Sequence, residues 1–397
     1  MSRPHILDAL RDRVLLADGG MGSHIQASDL SIEKDFLGQE NCSEILTQSR
    51  PDFIRDFHVG FFAAGADMVE TNTFGGSPIT LEEFGLGSQA FQLNKRSAEL
   101  AREAADSFAD GRDRYVLGSI GPGTKLPSLG HISYDALEAA LLIQCRGLVA
   151  GGSDALLTET NQDTLYIKAA VNAAKLAVAE SGKEIPIFVQ VTVETTGTLL
   201  VGPDIAAAAT VIHALDVPLI GLNCATGPQE MAEHVRWLSR NWPGLISVLP
   251  NAGLPELVDG KTRYPLSPEE MTSWVERFVL EDGIHLIGGC CGTNPQHIAS
   301  LDAMLKRLGG HRPTPAARTA IWMPRSPRSI SKCRCSRRTA TSPSVSAATP
   351  TARAPGASFR KKPTGTAASP WAANRSPRAR TASTSAPPSS AATSCSR

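Results

Sequence analysis

Three cysteines stand where they could hold a metal. Cys224 closes one apolar run, and Cys290 and Cys291 close another, bracketed by Gly288, Gly289 and Gly292. Zinc takes about four ligands in a tetrahedron and favours thiolates, and a catalytic zinc keeps one position open for substrate. Three sulfurs meeting at one ion would form such a centre. Glycines beside the Cys290–Cys291 pair let two adjacent residues both turn inward. The competing reading is that these are core cysteines, because free cysteine is among the most buried side chains. An adjacent Cys-Cys pair is also a weaker zinc signal than Cys-x-x-Cys. Cys42 and Cys145 have no comparable setting, and Cys145 reads as core on the apolar face of a helix.

The elements that would position these residues follow from hydrophobic period. Short β-rich runs at 14–17, 67–72, 115–120, 155–160, 185–193, 218–223, 245–250 and 284–288 alternate with segments of helical period. The latter are 49–64, 89–108, 134–150, 164–180, 228–240, 268–280 and 295–308. Three of them begin at proline, which suits a first helical turn. Eight strand–helix units predict an α/β fold, a (β/α)8 TIM-type barrel over residues 1–313, with an open doubly wound sheet as the competitor. In a closed barrel the strand ends converge, so Cys224 and the Cys290–Cys291 pair would share one mouth. Other distinctive segments also fall just after strands: Asp18-Gly19-Gly20-Met21-Gly22, Glu70-Thr71-Asn72-Thr73-Phe74-Gly75, Thr158-Glu159-Thr160-Asn161 and Pro250-Asn251-Ala252-Gly253. Barrel enzymes place their chemistry at these ends.

Charge divides the chain. The formal net charge is zero, but the last acid is Asp302 and 13 Lys and Arg lie between Ser326 and Arg397. The remaining 26 basic residues face 39 acidic ones, so the body carries −13. An acidic body argues against nucleic acid as the main partner. No apolar run is long enough to predict a membrane span or a secretory leader. A cytoplasmic location is therefore expected, where thiols stay reduced and serve as ligands, nucleophiles or core. Residues 314–397, rich in Ser, Arg, Ala, Pro and Thr, cannot bury enough apolar surface to offset ordering entropy. They read either as a disordered basic tail or as an out-of-frame translation of a GC-rich gene.

Gly221-Leu222-Asn223-Cys224 followed by Gly288-Gly289-Cys290-Cys291-Gly292 resembles the zinc-dependent homocysteine S-methyltransferase family. Asp18-Gly19-Gly20-Met21-Gly22 and the Glu70 to Gly75 segment match it as well. Three further stretches are similar to the homocysteine-binding module of the cobalamin-dependent methionine synthases. They run from Gly118 to Pro127, from Gln162 to Leu165 and from Pro250 to Pro255. The resemblance spans about residues 8–310 and stops there, so the chain looks like a truncated first module lacking the folate- and cobalamin-binding modules.

The resemblance implies that Cys224, Cys290 and Cys291 are zinc ligands, and elementary chemistry supplies the reason. A free thiol ionises near 8.5, so most homocysteine is a poor nucleophile at neutral pH, whereas metal-bound sulfur is deprotonated. The methyl group would come from methylcobalamin held on a cobalamin-binding module or separate protein. Glu159 is the candidate partner for the substrate ammonium, and its bland alternative is a structural carboxylate. Asp18, Gly19 and Gly20 belong to a loop whose N–H groups could receive the carboxylate, although Asp18 could equally cap a turn. Asn251 could lend an oxygen to the metal or simply fasten its loop. Phe74 and Asn72 could line the mouth. His24, His58 and His131 read as surface or loop residues, and His285 is not counted as a ligand. The alternative function is a stand-alone homocysteine methyltransferase using S-methylmethionine or betaine.

Overall fold

The computed structural model describes residues 3–258 and 261–309; the segment expected to form a basic tail over 314–397 lies outside the described residues. Seven strands come first: β1 (Leu15–Leu16), β2 (Met68–Glu70), β3 (Tyr115–Ile120), β4 (Ala155–Asn161), β5 (Ile187–Val191), β6 (Leu219–Asn223) and β7 (Leu245–Leu249). An antiparallel hairpin, β8 (Glu256–Val258) and β9 (Lys261–Arg263), precedes β10 (Leu286–Ile287). The eight-stranded sheet runs β1-β10-β7-β6-β5-β4-β3-β2 through parallel pairs. The Asp67 N–H donates to the Leu16 carbonyl at 2.7 Å, which joins β1 to the start of β2 and closes the ring. The expected (β/α)8 barrel is therefore the fold, and the open doubly wound sheet is excluded.

Alternation along the strands builds two layers of core. Leu15, Met68, Tyr115, Leu117, Leu157, Phe188, Leu219 and Leu286 fill the barrel interior. Helix Ile6–Asp12 adds Ile6 and Leu10 to this cluster, so it plugs the end at which the strands begin. The intervening residues, among them Leu16, Val69, Val116, Leu156, Val189 and Val248, pack outward under the helices. Burying each such side chain contributes about 1.5–3 kcal/mol.

Helix boundaries follow their capping residues. Pro228, Pro268 and Pro295 open the helices Pro228–Asn241, Pro268–Arg277 and Pro295–Arg307, as the prolines predict. Ser267 and Asn294 each form a capping box at the latter two. The main departures from expectation are short strands and extra elements. β1 and β10 are two residues each, and helices Met21–Ala27 and Ile205–Ala214 and the β8–β9 hairpin were not anticipated. Among the described residues no helix is long and apolar enough to cross a membrane.

Candidate metal centre

The barrel brings the three cysteines to one place. The ligand atoms of Cys224, Cys290 and Cys291 all lie within 4.8 Å of one another. Cys224 Sγ and Cys291 Sγ are 3.9 Å apart. Zinc–thiolate bonds of about 2.3 Å in a tetrahedron require sulfurs about 3.8 Å apart, so the spacing and the soft donor set both fit such an ion. The three thiols titrate as one unit. Hydrogen bonds from Cys224 and Cys290 hold Cys291 well below the ordinary thiol range, while donating to Cys224 and Cys291 pushes Cys290 well above it. Cys145 is buried core, as expected, and Cys42 is buried as well.

Backbone geometry aims the sulfurs. Cys224 has φ 60° and Ala225 φ 57°, a left-handed pair that turns the chain sharply at the end of β6. Such conformations cost non-glycine residues about 1–3 kcal/mol and cluster at functional sites. The Cys290–Cys291 turn is clamped from both sides. Cys290 N–H donates to Pro250 O at 2.9 Å, and Cys291 O accepts from Ala252 N–H at 3.0 Å. Asn251 Oδ1 accepts the Cys291 N–H at 3.1 Å, so Asn251 sits beside the sulfurs and fastens the loop that carries them.

The glycines of the first loop act here by close approach. A Cβ on Gly20 would meet the Cys290 carbonyl oxygen at 2.6 Å, and one on Gly19 would meet Thr293 Oγ1 at 2.5 Å. The Gly20 N–H already donates to Thr293 Oγ1 at 3.1 Å, so any capture of a substrate carboxylate by this loop falls to its other N–H groups. Gly292, at φ 79°, lies under Tyr264, whose ring leaves no room for a Cβ. Burial and the negative Cys291 sulfur push the Tyr264 phenol up, which places it against the cluster.

A group of buried carboxylates stands beside the sulfurs. Ser119 Oγ donates to Glu159 Oε1 at 2.5 Å, and Asn223 Nδ2 donates to Glu159 Oε2 at 3.0 Å. Burial pushes Glu159 up to about 7, against the Ser119 hydrogen bond and with a further upward push from Cys291. Asp18 Oδ2 accepts the Glu70 N–H at 3.1 Å, and burial raises Asp18 well above the usual carboxylate range. Glu70 is raised too, by burial and then by the charges of Glu159 and Asp18. Among the described residues no hydrogen-bond donor is directed at its buried Oε1. Three carboxylates thus share a low-dielectric space whose hydrogen bonds come from neutral donors, an arrangement suited to a cationic ligand.

A family model described as homocysteine S-methyltransferase matches residues 15–305. The chain belongs to the homocysteine S-methyltransferase family. It is 47% identical over 304 residues to the methionine synthase of Mycobacterium tuberculosis (strain ATCC 25618 / H37Rv), spanning 76% of this chain and 25% of that protein. The methionine synthase of Mycobacterium leprae (strain TN) is 46% identical over 303 residues, with the same shares covered. The chain thus spans about a quarter of the length of these relatives. The solved structure of the Escherichia coli homocysteine methyltransferase MmuM in its oxidised form has a TM-score of 0.60 at 22% identity, covering 75% of this chain and 98% of that one. Its metallated form has the same TM-score and identity, covering 74% and 96%. These likenesses show the barrel fold.

The structure gathers the three sulfurs, Asp18, Glu159 and Asn251, the residues the motifs single out, at the C-terminal ends of the strands. Phe74 is exposed on the loop after β2, whereas Asn72 is buried and donates to Ser43 O at 2.8 Å, which holds the loop. His285 Nδ1 accepts the Ile246 N–H at 3.2 Å, away from the sulfurs. His58 is a correction: it is fully buried in helix Pro51–Ala63, edge-on to Phe57 at 5.6 Å, and burial pushes it down to about 3. Its spacing from Ile54, Phe57 and Phe61 put it on the inward face, a signal the sequence contained. Glu70, Ser119, Asn223 and Tyr264 were not singled out as site residues. Glu70 and Asn223 each close a strand beside a site motif, and Ser119 lies near the end of β3 inside the 118–127 stretch, so these three carried a signal and Tyr264 did not.

Proposed function

We propose that this chain is a homocysteine-binding methyltransferase module that makes methionine from homocysteine with methylcobalamin as donor, the donor being held on another module or chain. The observation that carries the reading is the convergence of Cys224, Cys290 and Cys291 beside buried carboxylates that, among the described residues, no Lys or Arg neutralises. Zinc held by the three cysteines would bind the homocysteine sulfur as the nucleophilic thiolate. The remaining work belongs to the chain. Glu159, fixed by Ser119 and Asn223, receives the substrate ammonium, and Asp18 and Glu70, both raised well above the usual carboxylate range by burial, lie beside it. The loop at 18–22 faces the carboxylate end, and Asn251 keeps the Cys291 turn in place before substrate arrives. Together these contacts hold the sulfur at the open end of the barrel, where a methyl donor can approach.

The cobalamin-linked reading draws on the relatives named methionine synthase, of which the chain spans about a quarter of the length. A second reading, a stand-alone enzyme using S-methylmethionine or betaine, draws on the shared barrel of the E. coli enzyme. Purified zinc-loaded protein with homocysteine should form methionine from methylcobalamin and not from S-methylmethionine or betaine. Turnover with a small donor alone would replace the first reading with the second.

A further inference from the structure

A site that recognises an amino acid thiol by both sulfur and ammonium must hold its two contact points at a fixed spacing. Asn223 is built to do this. It ends β6, is buried, and immediately precedes Cys224. Its Oδ1 accepts the Thr160 N–H at 2.8 Å, and because a backbone N–H can only donate, the amide orientation is set. The two hydrogens on Nδ2 are then directed at Glu159 Oε2, 3.0 Å away, and at Thr160 Oγ1, 2.9 Å away. Its carbonyl accepts from Thr192 Oγ1 at 2.8 Å. Every polar atom of the side chain is thereby spent on joining β6 to the end of β4.

The backbone on both sides of this bridge is unusual. Thr160 follows Glu159 at φ 53°, and Cys224 follows Asn223 at φ 60°. The register of β4 with β5 shifts between Thr158 and Asn161, the stretch that contains Glu159. A β-branched residue in the left-handed region persists only where neighbours over-determine it. The three Asn223 hydrogen bonds to Glu159 and Thr160 are such neighbours.

We propose that Asn223 is a positioning residue that sets the chain length of the accepted substrate, by tying the carboxylate that takes the ammonium to the cysteine that lies beside the sulfur. The inference rests on the reading of the site given above. A four-carbon amino acid thiol spans both points. Cysteine, one methylene shorter, reaches one at a time.

Isothermal titration calorimetry on the zinc-loaded full chain tests this with L-homocysteine, L-cysteine and 4-sulfanylbutanoate, which is homocysteine without its amino group. Asn223→Ala should weaken homocysteine about 10- to 100-fold, the loss expected for a hydrogen bond to a charged group. It should change 4-sulfanylbutanoate less than about 2-fold and keep the zinc, so the preference for homocysteine over cysteine narrows. Asn223→Ser, which retains a hydroxyl for Thr160 but is too short for Glu159, should give the same split and replaces the alanine variant if that fails to fold. Equal weakening of homocysteine and 4-sulfanylbutanoate, or an unchanged preference, would overturn the proposal. Glu159→Gln is the control. If it weakens homocysteine and Asn223→Ala does not, the positioning role alone fails; if it has no effect, the reading of Glu159 fails and takes the inference with it.

Discussion

Both ends of the barrel bury carboxylates, but they treat them differently. Where the strands begin, Asp67 receives both terminal nitrogens of Arg13 at 2.9 Å and Arg112 Nε at 2.8 Å, and Arg112 also reaches Asp302 at 3.0 Å. Asp154 is paired with Arg3 at 2.6 Å and with Arg102. Where the strands end, Asp18, Glu70 and Glu159 face hydroxyls, amides, one another and the Cys291 sulfur, with no Lys or Arg of the described residues paired to them. The same residue types therefore do opposite work. At the first end the cations are part of the chain and the charge pairs hold the ring together. At the second, no Lys or Arg of the described residues pairs with the carboxylates, and burial raises all three above the usual carboxylate range. The contrast separates an end braced by ion pairs from an end without them.

The comparison can be broken most forcefully at its first end. Asp67→Asn removes the negative charge facing Arg13 and Arg112 and replaces one of the two oxygens that accept from them and from the Leu16 N–H with an NH2 donor. Breaking a buried pair in this way should cost about 3 kcal/mol, read by urea unfolding, with the zinc content of folded protein unchanged. A loss below about 1 kcal/mol would mean that these pairs do not hold the ring. At the second end, Glu159→Gln should weaken homocysteine about 100-fold while leaving the denaturation midpoint no lower, because it removes a buried charge. The wild type should also lose homocysteine affinity as pH falls from 8 to 6, since Glu159, raised to about 7, loses its charge. That decline should be steeper than for 4-sulfanylbutanoate, which shares the thiol proton but lacks the ammonium; parallel declines would remove Glu159 from the ammonium site.

The smallest effect sharpens the contrast through stability. Burial and neighbouring charges raise Glu70 above its value in the unfolded chain. Its contribution to stability is full below the unfolded pKa of about 4.3 and is lost as pH rises through the folded value. Glu70→Gln should therefore stabilise the protein more at pH 8 than at pH 5. Equal midpoint shifts at both pH values would show that Glu70 carries no strained charge.

Much of this was legible in the residues. Tyr115 to Ile120 and Leu219 to Asn223 are continuous apolar runs, as strands covered on both faces must be, and their boundaries matched closely. The glycines around Cys290 and Cys291 marked a turn that had to pass close to other backbone. What escaped has physical reasons. β1 and β10 are two-residue strands whose limits are set by pairing with each other and with β7, not by their own composition. Helix Ile205–Ala214 is an alanine-rich apolar stretch without a polar face to give period. The β8–β9 hairpin carries exposed Leu257 and Val258, so alternation did not reveal it, although the Asp259-Gly260 dipeptide is a hairpin signal in the sequence. The carboxylate cluster was half visible: Asp18 and Glu159 stood in motifs, but that Glu70 and Asn223 join them depends on contacts between residues 50 or more apart.

The central claim is that Cys224, Cys290 and Cys291 form one thiolate centre, and metal analysis addresses it most directly. Purified from zinc-replete medium and freed of loosely bound ions, the wild type should carry about one zinc per chain and Cys290→Ala less than about 0.2. Zinc retained in full by Cys290→Ala would contradict the account.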